Sequence, residues 1–233
     1  MKKIVALLSI LILSSCAELQ SVVDNLPNQT GIDNTTIASG LRQALDFGID
    51  KQVTKLTQKD GFYGNNLVKI LLPEELQKVD QTLRNIGLGS LADEGLKVLN
   101  RAAEDAVSEA TPIFVDAVKG ITFADARNIL LGADNSATTY LENKTSAQLY
   151  DKFNPVIKSS FSKVGADQIW SNLITKYNAL PLTNNVNPDL TDYVTKEALK
   201  GVYTMIAVEE KEIRTDFSAR TTTLLKKVFA LQD

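Results

Sequence analysis

The sequence predicts an all-α fold, a single compact bundle of roughly nine to eleven helices. Three observations carry that expectation. From about Ile37 onward, apolar residues recur at three- and four-residue spacings, the period of one face of an α-helix. Capping residues, glycines and prolines divide this pattern into segments of helical length. Strict apolar–polar alternation persists nowhere and no fixed-period repeat is present, which disfavours a sheet and a solenoid.

The first helix is expected to be capped by Thr35 or Thr36, with Ile37, Leu41, Leu45, Ile49, Val53 and Leu56 on one face. The run Asp60–Asn66, with its two glycines and two asparagines, breaks it, and a short helix over Leu67–Leu71 follows. Pro73 suits a first helical position, and Glu74 and Glu75 favour the positive end of the helix dipole. Leu76, Val79, Leu83 and Ile86 form the stripe of that helix, which Gly87 and Gly89 end. Ser90 opens the most regular element, with Ala92, Leu96, Leu99, Ala103, Ala106 and Ala110 on its seam. So many small residues allow close helix approach, which suits a central core helix better than a coiled-coil dimer.

Thr122–Asp125 is a near capping box, Asn135 or Ser136 caps a piece holding Ala137, Tyr140 and Leu141, and Thr145–Gln148 reads as a second capping box. The helix started there contains Pro155, which should kink it, and Gly165, which should end it. Ala166, Ile169, Trp170, Leu173 and Tyr177 line the next helix, and a polar loop spans Pro181–Asp189. Thr195 then caps a helix running to about Arg214, and a last helix runs from about Ser218 to Leu231.

The N-terminal residues follow a different logic. Lys2 and Lys3 precede an apolar run, Ile4–Leu13, and the small residues Ser14 and Ser15 lead to Cys16, the single cysteine. A charged start, a short apolar run and small residues at a cleavage point make a secretory signal, too short to remain as a membrane span. Ending on Leu-Ser-Ser-Cys, the segment resembles a bacterial lipoprotein signal. The resemblance implies that Cys16 becomes the acylated first residue of the mature chain, anchored to a membrane by fatty chains such as palmitate. Ala17, rather than aspartate, follows it, and this resembles the sorting pattern of outer-membrane lipoproteins. The expected organisation is a signal peptide over 1–15, a lipidated N-terminus and flexible polar tether over 16–34, and the helical domain over 35–233.

Composition narrows the function classes. A chain of 233 residues can bury enough surface to fold without disulfides or metals. Loss of the leader removes two lysines, leaving 23 basic against 28 acidic residues, a net of −5. With no basic patch, nucleic acid is not an expected partner, and attachment to lipid rests on acyl chains rather than charge. There is no histidine, which excludes Ser-His-Asp and Cys-His chemistry and the usual zinc sites. No cofactor is expected. The oxygen-rich stretch Asn184–Asp189, with Asp192 beyond it, lacks the alternating ligands of a calcium loop and reads as a turn, so no metal is expected either.

One anomaly marks a candidate site. The stripe Leu199, Val202, Ile206 and Ile213 misses a turn, which Glu209 fills with Glu210 beside it. A carboxylate near a buried face must find a cation or hydrogen-bond donors. Arg101, Arg127, Arg214 and Arg220 are the candidate partners. Two arrangements fit: a buried Arg–Glu pair that fixes helix register, or a polar pocket. In the pocket, Arg101 clamps an anion, Glu209 or Glu210 acts as acid or base, and Asp192 and Tyr193 converge on the same cavity. Arg101 also stands three residues from Glu104, the spacing of an ordinary surface ion pair.

Taken in order, several segments resemble one family. They are Ile70-Leu71-Leu72-Pro73, Gly87-Leu88-Gly89, Asn100-Arg101-Ala102-Ala103-Glu104, Asp125-Ala126, Phe153-Asn154-Pro155, Asp192-Tyr193-Val194-Thr195, Glu209-Glu210, Ile213-Arg214 and Leu224–Phe229. The series is similar to the domain-of-unknown-function 4197 family of bacterial envelope proteins, from about Ile37 to Phe229. The resemblance implies a helical, exported protein and transfers no catalytic residue. The expected function is a non-enzymatic binding or scaffold lipoprotein of the envelope with an unidentified protein or small-molecule partner. The alternative is a histidine-free enzyme or small-ligand receptor built on the Arg/Glu pocket.

Overall fold

Asp33 starts the first helix. Its carboxylate accepts the Thr36 amide at 2.6 Å, so the cap lies two to three residues ahead of the expected threonines, where a negative charge also favours the helix dipole. The computed structural model of the protein describes residues 32–163, 166–179 and 189–233. The leader, Cys16, the tether as far as Gly31, Gly165 and the polar loop up to Pro188 lie outside the described residues.

Among the described residues there are nine α-helices and no strand. They are α1 (Asn34–Thr57), α2 (Glu74–Asn85), α3 (Gly89–Val107), α4 (Ala110–Lys119), α5 (Phe123–Leu130), α6 (Ser136–Lys163), α7 (Ala166–Asn178), α8 (Thr191–Thr215) and α9 (Thr223–Phe229). The all-α bundle expected from the sequence is the fold observed. α8 packs along α6, α1 and α3, while α1 carries α4, α5 and α9 on its other sides. The two long helices α1 and α8 run antiparallel. Gln52 near the end of α1 meets Glu209, Leu41 and Leu45 share a small void with Ile213 and Arg214, and Phe62 beyond α1 packs on Gly201.

Several boundaries differ from the expected ones, each for a local reason. Residues 67–71 form no helix; the Val68 and Lys69 amides close a turn on the Asn65 carbonyl, and then Ile70 and Leu72 are buried while Leu71 is exposed, the alternation of extended chain leading into a proline. Ile86 is exposed because Gly87, at φ +82°, turns the chain away after α2. α3 ends at Val107, so Ala110 opens α4 instead of closing the alanine seam. Thr145 starts no helix. Its hydroxyl donates to the Leu141 carbonyl at 2.7 Å and shares a hydrogen bond with the Tyr203 hydroxyl, and α6 runs through it and through Pro155. Thr195 likewise lies one turn inside α8, donating to the Thr191 carbonyl, while Asp189 accepts the Thr191 amide ahead of the helix. Thr222 caps the shorter final helix, and Ser218 belongs to a 3-10 turn, Phe217–Ala219, held by Asp216. By contrast Thr122 and Asp125 complete a full capping box.

The close approach of α8 to the segment after α1 depends on Gly201. A Cβ there would stand 2.6 Å from Cε1 of Phe62, which is fully buried. Gly201→Ala is expected to cost about 1–3 kcal/mol through overpacking. Urea denaturation measures it, and an unchanged midpoint would contradict the packing described.

Candidate functional site

Both carboxylates of the anomaly in α8 are buried, and they have separate partners. Glu210 faces the start of α6, where it accepts the amides of Ala137 and Thr138 at 2.8 Å and the Thr138 hydroxyl at 2.7 Å. One turn on, Arg214 donates to the same carboxylate through Nε at 3.0 Å and Nη2 at 2.8 Å. Its remaining donors reach the Leu130 and Ile129 carbonyls, at 3.0 and 2.8 Å, at the end of α5. Arg220 repeats the device for α8 itself, donating to the Ile213 and Arg214 carbonyls at 2.9 and 2.8 Å and to the Asp233 carboxylate. These groups therefore satisfy the amides and carbonyls that helix ends leave unpaired.

Glu209 turns the other way, towards α1. Lys51 Nζ donates to it at 2.8 Å and Gln52 Nε2 at 2.7 Å. The Lys51 side chain is 59% exposed, so this pair opens to water at one end.

Arg101 pairs with Glu104 at 2.5 Å and with Asp60 at 2.7 Å, not with Glu209. Glu104 also accepts the Phe62 amide at 3.1 Å. One residue before Arg101, the buried Asn100 side chain binds both the amide and the carbonyl of Ile70, at 2.8 and 2.9 Å. These side chains of α3 fasten the two ends of the 60–70 segment. Asp192 receives the Tyr150 hydroxyl at 2.6 Å and Lys196 at 2.8 Å on an exposed ridge. Lys196 first, then Tyr150, holds its carboxyl below the usual range. Tyr193 donates to the Leu71 carbonyl at 2.8 Å. The structure thus joins Glu210 to Arg214 and Arg101 to Glu104, and leaves Glu209, Asp192 and Tyr193 with other partners. Among the described residues Arg101, Asp192, Tyr193 and Glu209 or Glu210, expected to share one cavity, do not converge.

The open space lies elsewhere. A groove of about 490 Å³ runs between the 67–77 segment and α8, bordered by Leu67, Lys69, Leu71, Tyr193, Glu197 and Lys200. Across Leu71 lies a second groove of about 480 Å³, towards Asp80, Arg84 and Leu96. Leu71, 58% exposed, is the ridge between them. Because both polar backbone groups of Ile70 face Asn100, those of Leu71 face the opposite way, towards α8, where Tyr193 takes the carbonyl. Reading the residues alone missed this site; the proline after Leu72, which disfavours helical backbone before it, was the available signal. Among the described residues no group of three His, Cys, Asp or Glu could hold a metal ion, and no helix is long and apolar enough to cross a membrane.

Two consequences are measurable. Glu210→Gln leaves the Arg214 guanidinium buried without its counter-charge and is expected to cost about 3–5 kcal/mol. Glu209→Gln, whose cation is already half in water, should cost only about 1 kcal/mol. Equal losses in urea denaturation would refute the distinction. Burial also pushes the Tyr203 hydroxyl above the usual phenol range, against the lowering effect of its bonds with Ser146 and Thr145. Its contribution is complete below the unfolded-chain value of about 10 and is lost as pH rises through the folded value. Tyr203→Phe should therefore lose less stability between neutral and strongly alkaline pH than the wild type, measured as melting temperature against pH.

Over residues 31–230 the chain matches a family model described as "Protein of unknown function (DUF4197)". Neither the comparison with curated proteins nor that with solved structures gives a match. The family match spans most of the chain, and the chain belongs to the DUF4197 family.

Proposed function

We propose that this protein is a lipid-anchored protein of the bacterial envelope, on the outer membrane, that binds a partner through the groove between the 67–77 segment and α8. The observation that carries the binding role is how the polar side chains divide. Glu104, Glu210, Arg214 and Arg220 are spent on backbone groups and on each other, so the buried charge builds architecture. The groove instead presents an exposed leucine, a tyrosine and charges of both signs to solvent, the mixture of apolar contact and orienting polar groups found in binding clefts. The small-ligand or enzymatic alternative asks Arg101, Asp192, Tyr193 and Glu209 or Glu210 to share one cavity, whereas Arg101 pairs with Asp60 and Glu104 and Glu209 with Lys51 and Gln52, which favours the binding reading.

The anchor rests on the Leu-Ser-Ser-Cys signal and the acylation of Cys16 that it implies. The described chain starts at the opposite end of α1 from the groove, and 24 helical residues separate them by about 36 Å. An anchored molecule would hold its groove away from the lipid.

Labelled palmitate should enter the wild type and not the Cys16→Ala variant. Native mass spectrometry of the chain purified from its own bacterium should show a retained partner mass. Leu71→Asp, on an exposed ridge, should lose that mass with its melting temperature unchanged. Palmitate labelling of Cys16→Ala would overturn the anchor, and a partner mass kept by Leu71→Asp would overturn the groove.

A further inference from the structure

Beside the first helix, two large apolar side chains stay exposed among the described residues. Ile32 is buried, so the domain is gripped from that residue on, and Asp33 caps α1 directly behind it. α9 lies over this first part of α1. Val228 packs where Gly40 has no side chain, Thr222 bonds to Gln43 at 2.7 Å, and after the Thr36 hydrogen bonds the Lys227 charge also helps to lower the Asp33 carboxyl. The last turn of α8 lies beside the middle of α1, where Ile213 and Arg214 border a small void with Leu41 and Leu45, and Arg214 fastens that turn to the Leu130 and Ile129 carbonyls.

Two large apolar side chains project from these segments into solvent. Phe217, just past α8, is 62% exposed, and Leu131, just past α5, is 58% exposed. Lys226 on α9 sets its ammonium 5.2 Å from the Phe217 ring centre. Lys226 and Lys227 are both exposed. Single exposed apolar residues are ordinary. What distinguishes this pair is where they stand, on segments bound to the last turn of α8, beside the α9 that covers the first half of α1. Fifteen residues, 17–31, separate Cys16 from Ile32, and fully extended they span at most about 50 Å.

We propose that this face of the bundle rests on the lipid surface, with Phe217 and Leu131 entering the boundary between headgroups and acyl chains and Lys226 directed to the phosphates. The proposal rests on the acyl anchor at Cys16. The anchor supplies what two side chains cannot, because a surface held within about 50 Å of the bilayer meets it at high effective concentration. An aromatic ring with an ammonium over its face suits this boundary, since the ring leaves water while the long lysine stem lets the amine reach the headgroups. Long-range charge is not required, in keeping with the acidic balance of the chain.

The test uses the acylated full chain in vesicles of phosphatidylethanolamine and phosphatidylglycerol. Cys16 is the single natural cysteine and is consumed by lipid, so Phe217→Cys or Leu71→Cys accepts a nitroxide at one position. Flotation with the vesicles reports the anchor, and collision of the nitroxide with oxygen or a water-soluble nickel chelate reports the surface. The expected result is flotation of both, with position 217 open to oxygen and shielded from the chelate, and position 71 the reverse. Flotation with position 217 as open to chelate as position 71 overturns the surface and leaves the anchor standing. Failure to float overturns the anchor, and this proposal with it.

Discussion

The link between Glu210 and Arg214 is the constraint from which most of the architecture follows. One carboxylate holds the first amides of α6, and the guanidinium it neutralises holds the last carbonyls of α5. Burying two charges is costly, and the cost is offset only where their remaining donors and acceptors are all satisfied. Here the satisfying groups are helix ends, so the pair forms only when α5, α6 and α8 meet in one register. Placing α6 in turn places α3, which lies along it.

The same logic recurs at lower charge density on α3. Asn100 treats Ile70 as a neighbouring strand would, and Glu104 treats the Phe62 amide as a helix cap would. An irregular segment is thereby held with side chains in place of regular structure. Its outer residues, Leu67 and Leu71, stay in water and shape the groove. Order inside the bundle and openness at its surface thus have one source.

Periodicity was a good guide wherever a helix buries one broad face. The stripe from Ile37 to Leu56 is buried throughout, and the missing turn at Glu209 did mark buried carboxylates. Partners were less legible, because pairing depends on which helix ends come together and not on spacing along one helix. Arg214, four residues from Glu210, could be found that way; Lys51 and Gln52 for Glu209 could not. Threonines misled most consistently. Thr145 and Thr195 look like caps in the sequence, yet both donate back to carbonyls within continuous helices. The extended run before Pro73 was obscured by its leucines, which fit a helix as readily as a strand when only a few residues are available.

The single tryptophan, Trp170 of α7, has its own consequence. Its ring lies where a side chain at position 95 would be, within 2.9 Å of the place a Cβ would take on Gly95 of α3, and its indole N–H is buried with no acceptor among the described residues. The indole is therefore dry only while α7 is seated on α3. Any loosening of that one helix admits water to the ring and moves its emission to longer wavelength, so the protein carries an optical gauge of a single packing seam, separate from melting of the whole.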